Sequence, residues 1–183
     1  MSIVITGNPG VGKHTVTKEI SRILKLPIID VNDIAKNAGL FEKNTETNNV
    51  DTFKLERILE EKNSGKNLIV GHLAPYVVTK SKVEVIVILR RNPYDLLSVY
   101  QERKYTDKKS RTNAGSEILG IIAHDAIEKF QEKAFQVNVS GKSIQETIEK
   151  VRSIIVNKKD NDKEVDWLEL VTKNQDLKKF FTD

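Results

Sequence analysis

The chain has 183 residues, 38% of them hydrophobic and 31% charged, enough for one globular domain with a substantial core and crowded for two. It contains no cysteine and three histidines, His14, His72 and His124, which excludes disulfides, thiolate catalysis and cysteine-based zinc sites and argues against a structural metal centre. A formal net charge of +4 favours anionic ligands; a lysine-rich solvated surface accounts for it more simply than direct nucleic-acid binding, which the composition leaves open.

The start MSIVITG reads as a strand running into glycine, without a signal-peptide layout. No apolar run approaches the roughly 18 to 20 residues of a bilayer span, so a soluble, cytoplasmic protein with no membrane association is expected. The β-branched run at 3–6 predicts a first strand, and apolar residues every three or four positions over 15–26 predict a helix. A second strand at 27–30 is followed by an Asn- and Thr-rich stretch without period, 36–50. A helix at 51–63 carries Phe53, Leu55, Ile58 and Leu59 in one stripe, with Asp51 as cap. Strands at 68–70 and 83–89 come next, then a helix at 93–102, a charge-dense aperiodic stretch at 104–112 and a helix at 116–133. The last strand, 134–139, and a helix at 143–157 precede KKDNDKE, a solvated linker to the tail VDWLELVTKNQDLKKFF. Short buried strands alternating with helices imply an α/β fold of three layers, a mostly parallel five-stranded sheet with helices on both faces. The aperiodic stretches at 36–50 and 104–112 interrupt that core, where segments that cover a substrate usually sit.

The stretch GNPGVGKHT at 7–15 satisfies GxxxxGK between a predicted strand and a predicted helix, the context a phosphate-binding loop requires. Its glycines let backbone N–H groups curl around phosphate oxygens, the helix directs its positive end at them, and Lys13 reaches the terminal phosphates. His14 stands where such loops place a serine or threonine whose hydroxyl joins the magnesium shell. Mg²⁺ prefers oxygen to imidazole nitrogen, so a direct bond from His14 is disfavoured. Either His14 contacts phosphate, its cationic form favoured by nearby anions, or it is a solvent-facing helix residue. Thr15 is the nearest remaining hydroxyl and the candidate for the metal, although one residue of helix turns it about 100° toward an α-phosphate oxygen.

The segment LRRNPYDLLSVYQERKYTDKKSRTNAGSEI, residues 89–118, resembles the lid region of the adenylate kinase isoenzyme 6 type family. Those are small P-loop nucleoside-monophosphate kinases and ATPases linked to small-subunit ribosome and rRNA maturation. Leu89, Arg90, Arg103, Tyr105, Lys108, Asn113 and Glu117 match the lid pattern, and GxPGxGK is present from Gly7 to Lys13. Weaker matches are VNDIAK at 31–36, VGH at 70–72 and VDWLE at 165–169, so the likeness runs through nearly the whole chain.

The resemblance implies a single P-loop kinase domain over 1–183, with a monophosphate-binding insertion near 28–51 and a lid near 103–113. It implies ATP and Mg²⁺ as cofactors, a nucleoside monophosphate, AMP first, as acceptor, slow ATPase activity, and a small-subunit platform ribosomal protein as partner. Lys13, Arg103 and His72 are the expected catalytic residues. Gly7, Gly10, Val11, Gly12, Lys13, His14, Thr15 and Arg103 are expected to bind ATP, and Asp33, Lys36 and Arg90 the acceptor. A buried histidine at a strand end explains His72 equally, and Asp33 as a helix cap is the simpler reading. The family carries Ser or Thr at position 14, an acid at Val70, an arginine at Val99 and another at Lys36. Each missing contact to a transition state costs on the order of 2 to 4 kcal/mol, so low turnover is expected. Two alternatives stand: a P-loop kinase of another small metabolite, and a poorly catalytic nucleotide-binding assembly factor.

Overall fold

The structure is a computed structural model that describes residues 1–40, 50–160 and 165–181. The chain begins with β1 (Ser2–Thr6), α1 (Lys13–Leu24), β2 (Ile28–Asp30), α2 (Val31–Asn37) and α3 (Thr52–Lys62). It continues through β3 (Leu68–Val70), α4 (Ala74–Val77), β4 (Val83–Arg90), α5 (Pro93–Glu102), α6 (Asp107–Ile118) and α7 (Ile121–Phe130). Last come β5 (Ala134–Asn138), α8 (Ile144–Asn157), α9 (Trp167–Lys173) and α10 (Leu177–Phe181). The five strands lie in the order β2-β3-β1-β4-β5 and every pairing is parallel. The fold class is therefore the one the strand and helix alternation predicts.

Alternate residues of each strand face opposite layers. Ile3 and Ile5 of β1 and Val85, Val87 and Leu89 of β4 pack with Val16 and Ile20 of α1, Leu96 and Tyr100 of α5, and the apolar stripe of α8. On the other face Val4, Ile86 and Ile88 pack with Leu55 and Leu59 of α3, Val77 of α4 and Phe130 of α7. Full burial of each such side chain contributes about 1.5–3 kcal/mol, which is why runs that look too apolar for a half-exposed sheet are stable here. All carboxyl ends of the parallel strands open on one side, and the turn after central β1 lies between its neighbours β3 and β4, where such sheets hold ligands.

Two features differ from the sequence expectation. The helix expected over 116–133 is two helices, because Gly120 adopts a left-handed φ of 62° with the Arg90 guanidinium 3.4 Å from where a Cβ would stand. The stretch 104–112 is helical from Asp107 onward, with the Thr106 hydroxyl accepting from Lys109 N. Its charges hide the period because only its far end, including Ala114, Glu117 and Ile118, is buried. The tail, to which the sequence reading gave no packing partner, docks: Trp167, Val171 and Phe180 join the core beside α6. Much of the aperiodic stretch 36–50 and part of the linker, residues 41–49 and 161–164, lie outside the described residues. No helix among those described is long and apolar enough to cross a membrane.

Candidate active site

Between β1 and α1 the chain curls back on itself. Gly7 has φ 138°, and a Cβ there would meet Leu89 O at 2.5 Å, so no other residue lets β1 leave the sheet so close to β4. The Tyr100 hydroxyl donates to Pro9 O at 2.7 Å and Arg91 donates to Gly10 O at 3.1 Å. The outer carbonyls of the turn are thus held from β4 and α5. Val11 turns into the core, leaving its backbone as the only part available to a ligand.

The turn opens on a cavity of 440 Å³ lined by Gly10, Gly12, Lys13, His14, Thr15, Asn32, His72, Arg103 and Asn113 among others. Lys13 is 5% exposed, and its ammonium donates to Asn8 O at 3.2 Å. Burial, and then the charge of Arg103, push its pKa down to about 8 against the opposing pull of Asp30 and Glu117. Such a cation gains most from an anion entering the cavity. His72 follows β3 and is pushed down to about 4, chiefly by burial and then by the Lys13 charge, so it is neutral near pH 7. Arg103 ends α5, and the next residues are anchored by Tyr105 stacking on Tyr100 with a 5.5 Å centroid separation. Among the described residues, two buried polar side-chain atoms lack a hydrogen-bond partner, Asn32 Oδ1 and Asn113 Nδ2. Both residues line this cavity. Leaving a buried polar group unmet costs about 1–3 kcal/mol, and a polar ligand in the cavity could meet both atoms.

His14 has a partner that neither sequence reading named. Its Nε2 lies 2.9 Å from Asp30 Oδ2, while Asp30 Oδ1 accepts from Asn32 N and Asp33 N at the start of α2. Burial pushes the Asp30 carboxyl up, but the His14 hydrogen bond and charge and the two backbone N–H groups prevail and hold it below the usual range. Asp30, not Asp33, is therefore the helix cap. Asp33 lines a neighbouring cavity of 660 Å³ between α1, β2, α2 and α3, which His14 and Asp30 also border. Thr15 is exposed on the wall of the smaller cavity, and Lys36 is exposed on the last turn of α2 outside it.

Arg90 is not brought to the cavity. It is 3% exposed, with Nε on Glu117 Oε1, one terminal nitrogen on Glu117 O and the other on Gln136 Oε1. A guanidinium so occupied braces α6 against β4 and β5. Sequence reasoning assigned no role to Asn8, Asn32 or the tail's Trp167, and used Asn113 and Glu117 only as pattern matches. The signal available was an amide in the loop, one in the first turn of α2 and one in the lid stretch. The described residues hold one three-member cluster of metal-ligating type, His124, Asp125 and Glu128, which lies on α7 away from the loop.

The chain is similar to known proteins in sequence and in fold. A family profile described as an AAA domain matches residues 3–120. A protein of Thermococcus onnurineus named "Putative adenylate kinase" is 31% identical over 85% of this chain and 84% of its own length. One of the same name from Methanosarcina barkeri is 30% identical over 93% of this chain and 100% of its own. Among solved structures, a shikimate kinase from Bacteroides thetaiotaomicron superposes with a TM-score of 0.56, covering 85% of this chain and 98% of that one at 18% identity. That last likeness is one of fold.

Proposed function

The chain belongs to the P-loop AAA-domain family that holds these relatives, and on that premise we propose that it is an ATP-dependent nucleoside-monophosphate kinase, with AMP the first acceptor to test. The observation that carries the proposal is the loop cavity itself: Lys13 and Arg103 beside two unmet amide atoms and a neutral imidazole. The printed name of the relatives, "Putative adenylate kinase", supports a monophosphate acceptor over a sugar or other alcohol.

In the proposed reaction an oxygen of the acceptor phosphate forms a new bond to the γ-phosphorus of ATP while the bond to the β-phosphate oxygen breaks. ADP leaves and no proton need be removed. Loop N–H groups and Lys13 hold the β- and γ-phosphates, Arg103 meets the charge that grows on the transferring group, and neutral His72 offers a hydrogen bond without adding charge. Asn113 Nδ2 is a donor and Asn32 Oδ1 an acceptor for the ligands' polar edges. A divalent ion supplies charge neutralisation when bound with the nucleotide. The atoms presented after Lys13 are an imidazole nitrogen and a carboxylate oxygen instead of the usual hydroxyl, a poor match for magnesium. Together with Val70 and Val99 in place of charged residues, this supports slow turnover and a slow ATPase side reaction. The ribosomal-protein partner and the role in small-subunit maturation rest on the sequence resemblance alone.

The test is ADP release from ATP with each nucleoside monophosphate and with a panel of sugar and carboxylic alcohols, run in Mg²⁺ and separately in Mn²⁺. AMP should raise the rate at least about tenfold over ATP alone, and Lys13→Met should abolish the increase. Transfer to an alcohol with none to any monophosphate would overturn the proposal.

A further inference from the structure

We propose that His14 Nε2 and Asp30 Oδ2 are adjacent ligands of the divalent ion that accompanies the nucleotide, and that this site takes a first-row transition ion of the cobalt-to-zinc type ahead of magnesium. The inference rests on reading the loop cavity as the nucleotide site. It begins from a distance: the two atoms stand 2.9 Å apart. Two ligands each ~2.1 Å from one ion and at right angles around it are ~3.0 Å apart, so this pair already has the bite of neighbouring octahedral positions.

The carboxylate is oriented before any ion arrives. Its Oδ1 is fixed by the N–H groups of Asn32 and Asp33, which leaves Oδ2 directed at His14, the arrangement by which neighbouring hydrogen bonds usually aim metal ligands. The pair is also reachable, with side chains 48% and 20% exposed. His14 directly follows Lys13 and lines the same cavity, as does Asn32 with its unpartnered Oδ1, a third protein acceptor for the ion or for a water bound to it. The phosphates and water would complete the shell. A bound ion would take the Nε2 lone pair, with the imidazole proton carried on Nδ1.

The preference follows from the donors. Magnesium binds oxygen and resists dehydration, so a site that offers imidazole in place of a hydroxyl gives it one ligand fewer. Cobalt and zinc ions accept imidazole and carboxylate together. Lys13 and Arg103 repel any cation in the absence of phosphates, so the preference should be strongest when nucleotide is present.

The experiment titrates Co²⁺ and Mg²⁺ into the full chain, with and without a non-hydrolysable ATP analogue, by calorimetry and, for Co²⁺, by visible absorption and paramagnetically shifted proton resonances. With the analogue, the ratio of Co²⁺ to Mg²⁺ affinity should fall at least about tenfold in His14→Ser, which restores a hydroxyl, and in Asp30→Asn, which keeps a cap for α2. The wild-type Co²⁺ complex should show a shifted imidazole N–H resonance that His14→Ser lacks. An unchanged ratio in both variants, or no such resonance, would overturn the proposal. Because no acceptor or turnover enters the measurement, failure of the kinase reading and failure of the metal reading are separately visible.

Discussion

Asn8 of the loop donates from Nδ2 to Glu117 Oε2 across 2.7 Å, joining residues 109 apart in the chain. The other oxygen of Glu117 accepts from Arg90 Nε, Arg91 N and Trp167 Nε1 at 2.8, 3.0 and 3.0 Å. The loop, the end of β4, α6 and the docked tail therefore meet on one fully buried carboxylate.

That convergence predicts a large stability effect at Glu117. Glu117→Gln removes the charge opposite buried Arg90 and places an amide donor among donors, which should cost about 3–5 kcal/mol. Trp167→Phe removes a single donor and should cost about 1 kcal/mol. Urea unfolding followed by circular dichroism measures both; a Glu117→Gln loss below that of Trp167→Phe would show that the carboxylate is not the hub.

Lys13 should make folding pH-dependent on the alkaline side. Its folded pKa, about 8, lies below the 10.5 of an unfolded lysine. Burying the ammonium thus opposes folding in full below about pH 8, and the opposition is relieved as pH rises toward 10.5. Lys13→Met should be more stable than wild type near pH 7 by on the order of 3 kcal/mol, the difference shrinking by pH 10. ATP binding at pH 9 should take up a proton, read by calorimetry in buffers of different ionisation enthalpy; no uptake would contradict a depressed lysine.

His72 should act on the acid side. Its folded value of about 4 lies below the ordinary 6.5, so the unfolded chain takes up a proton first. Stability attributable to it is present above pH 6.5 and is lost as pH falls toward 4. Wild type should lose on the order of 3 kcal/mol more than His72→Gln across that window, measured by urea unfolding at pH 7.5 and 4.5. Parallel curves would mean that His72 is not held neutral.

Arg103 is exposed at the end of α5 yet lines the loop cavity, so its replacement should spare the fold. Arg103→Lys keeps the charge and loses the planar fork. kcat should drop about 100-fold or more with KM changed only a few-fold. A rise in KM alone would make it a ground-state binding residue.

The phosphate loop, the strand and helix alternation and the α/β class were legible because each depends on residues close in sequence. The apolar run 3–6 makes a strand, and the glycines at 7, 10 and 12 permit the turn whatever lies beyond. Arg90 shows the opposite case. Pattern matching placed it with the substrate, but a residue facing Glu117 across the end of β4 is consumed by that partner, and no local spacing reveals this. The split of the helix expected over 116–133 has the same origin. A helical period continues through Gly120, and only the guanidinium beside it shows why the chain bends there.

By itself the sequence determined that a loop of the phosphate-binding type stands between the first strand and the first helix, because that turn is made by seven consecutive residues from Gly7 to Lys13. Only the tertiary structure decided what surrounds it: His14 on Asp30, Lys13 buried near Arg103 and His72, Asn32 and Asn113 unmet, Arg90 turned away. Backbone conformation is governed by neighbours in the chain. The charge state and hydrogen-bond partners of a side chain are governed by whatever the fold brings within a few ångströms of it.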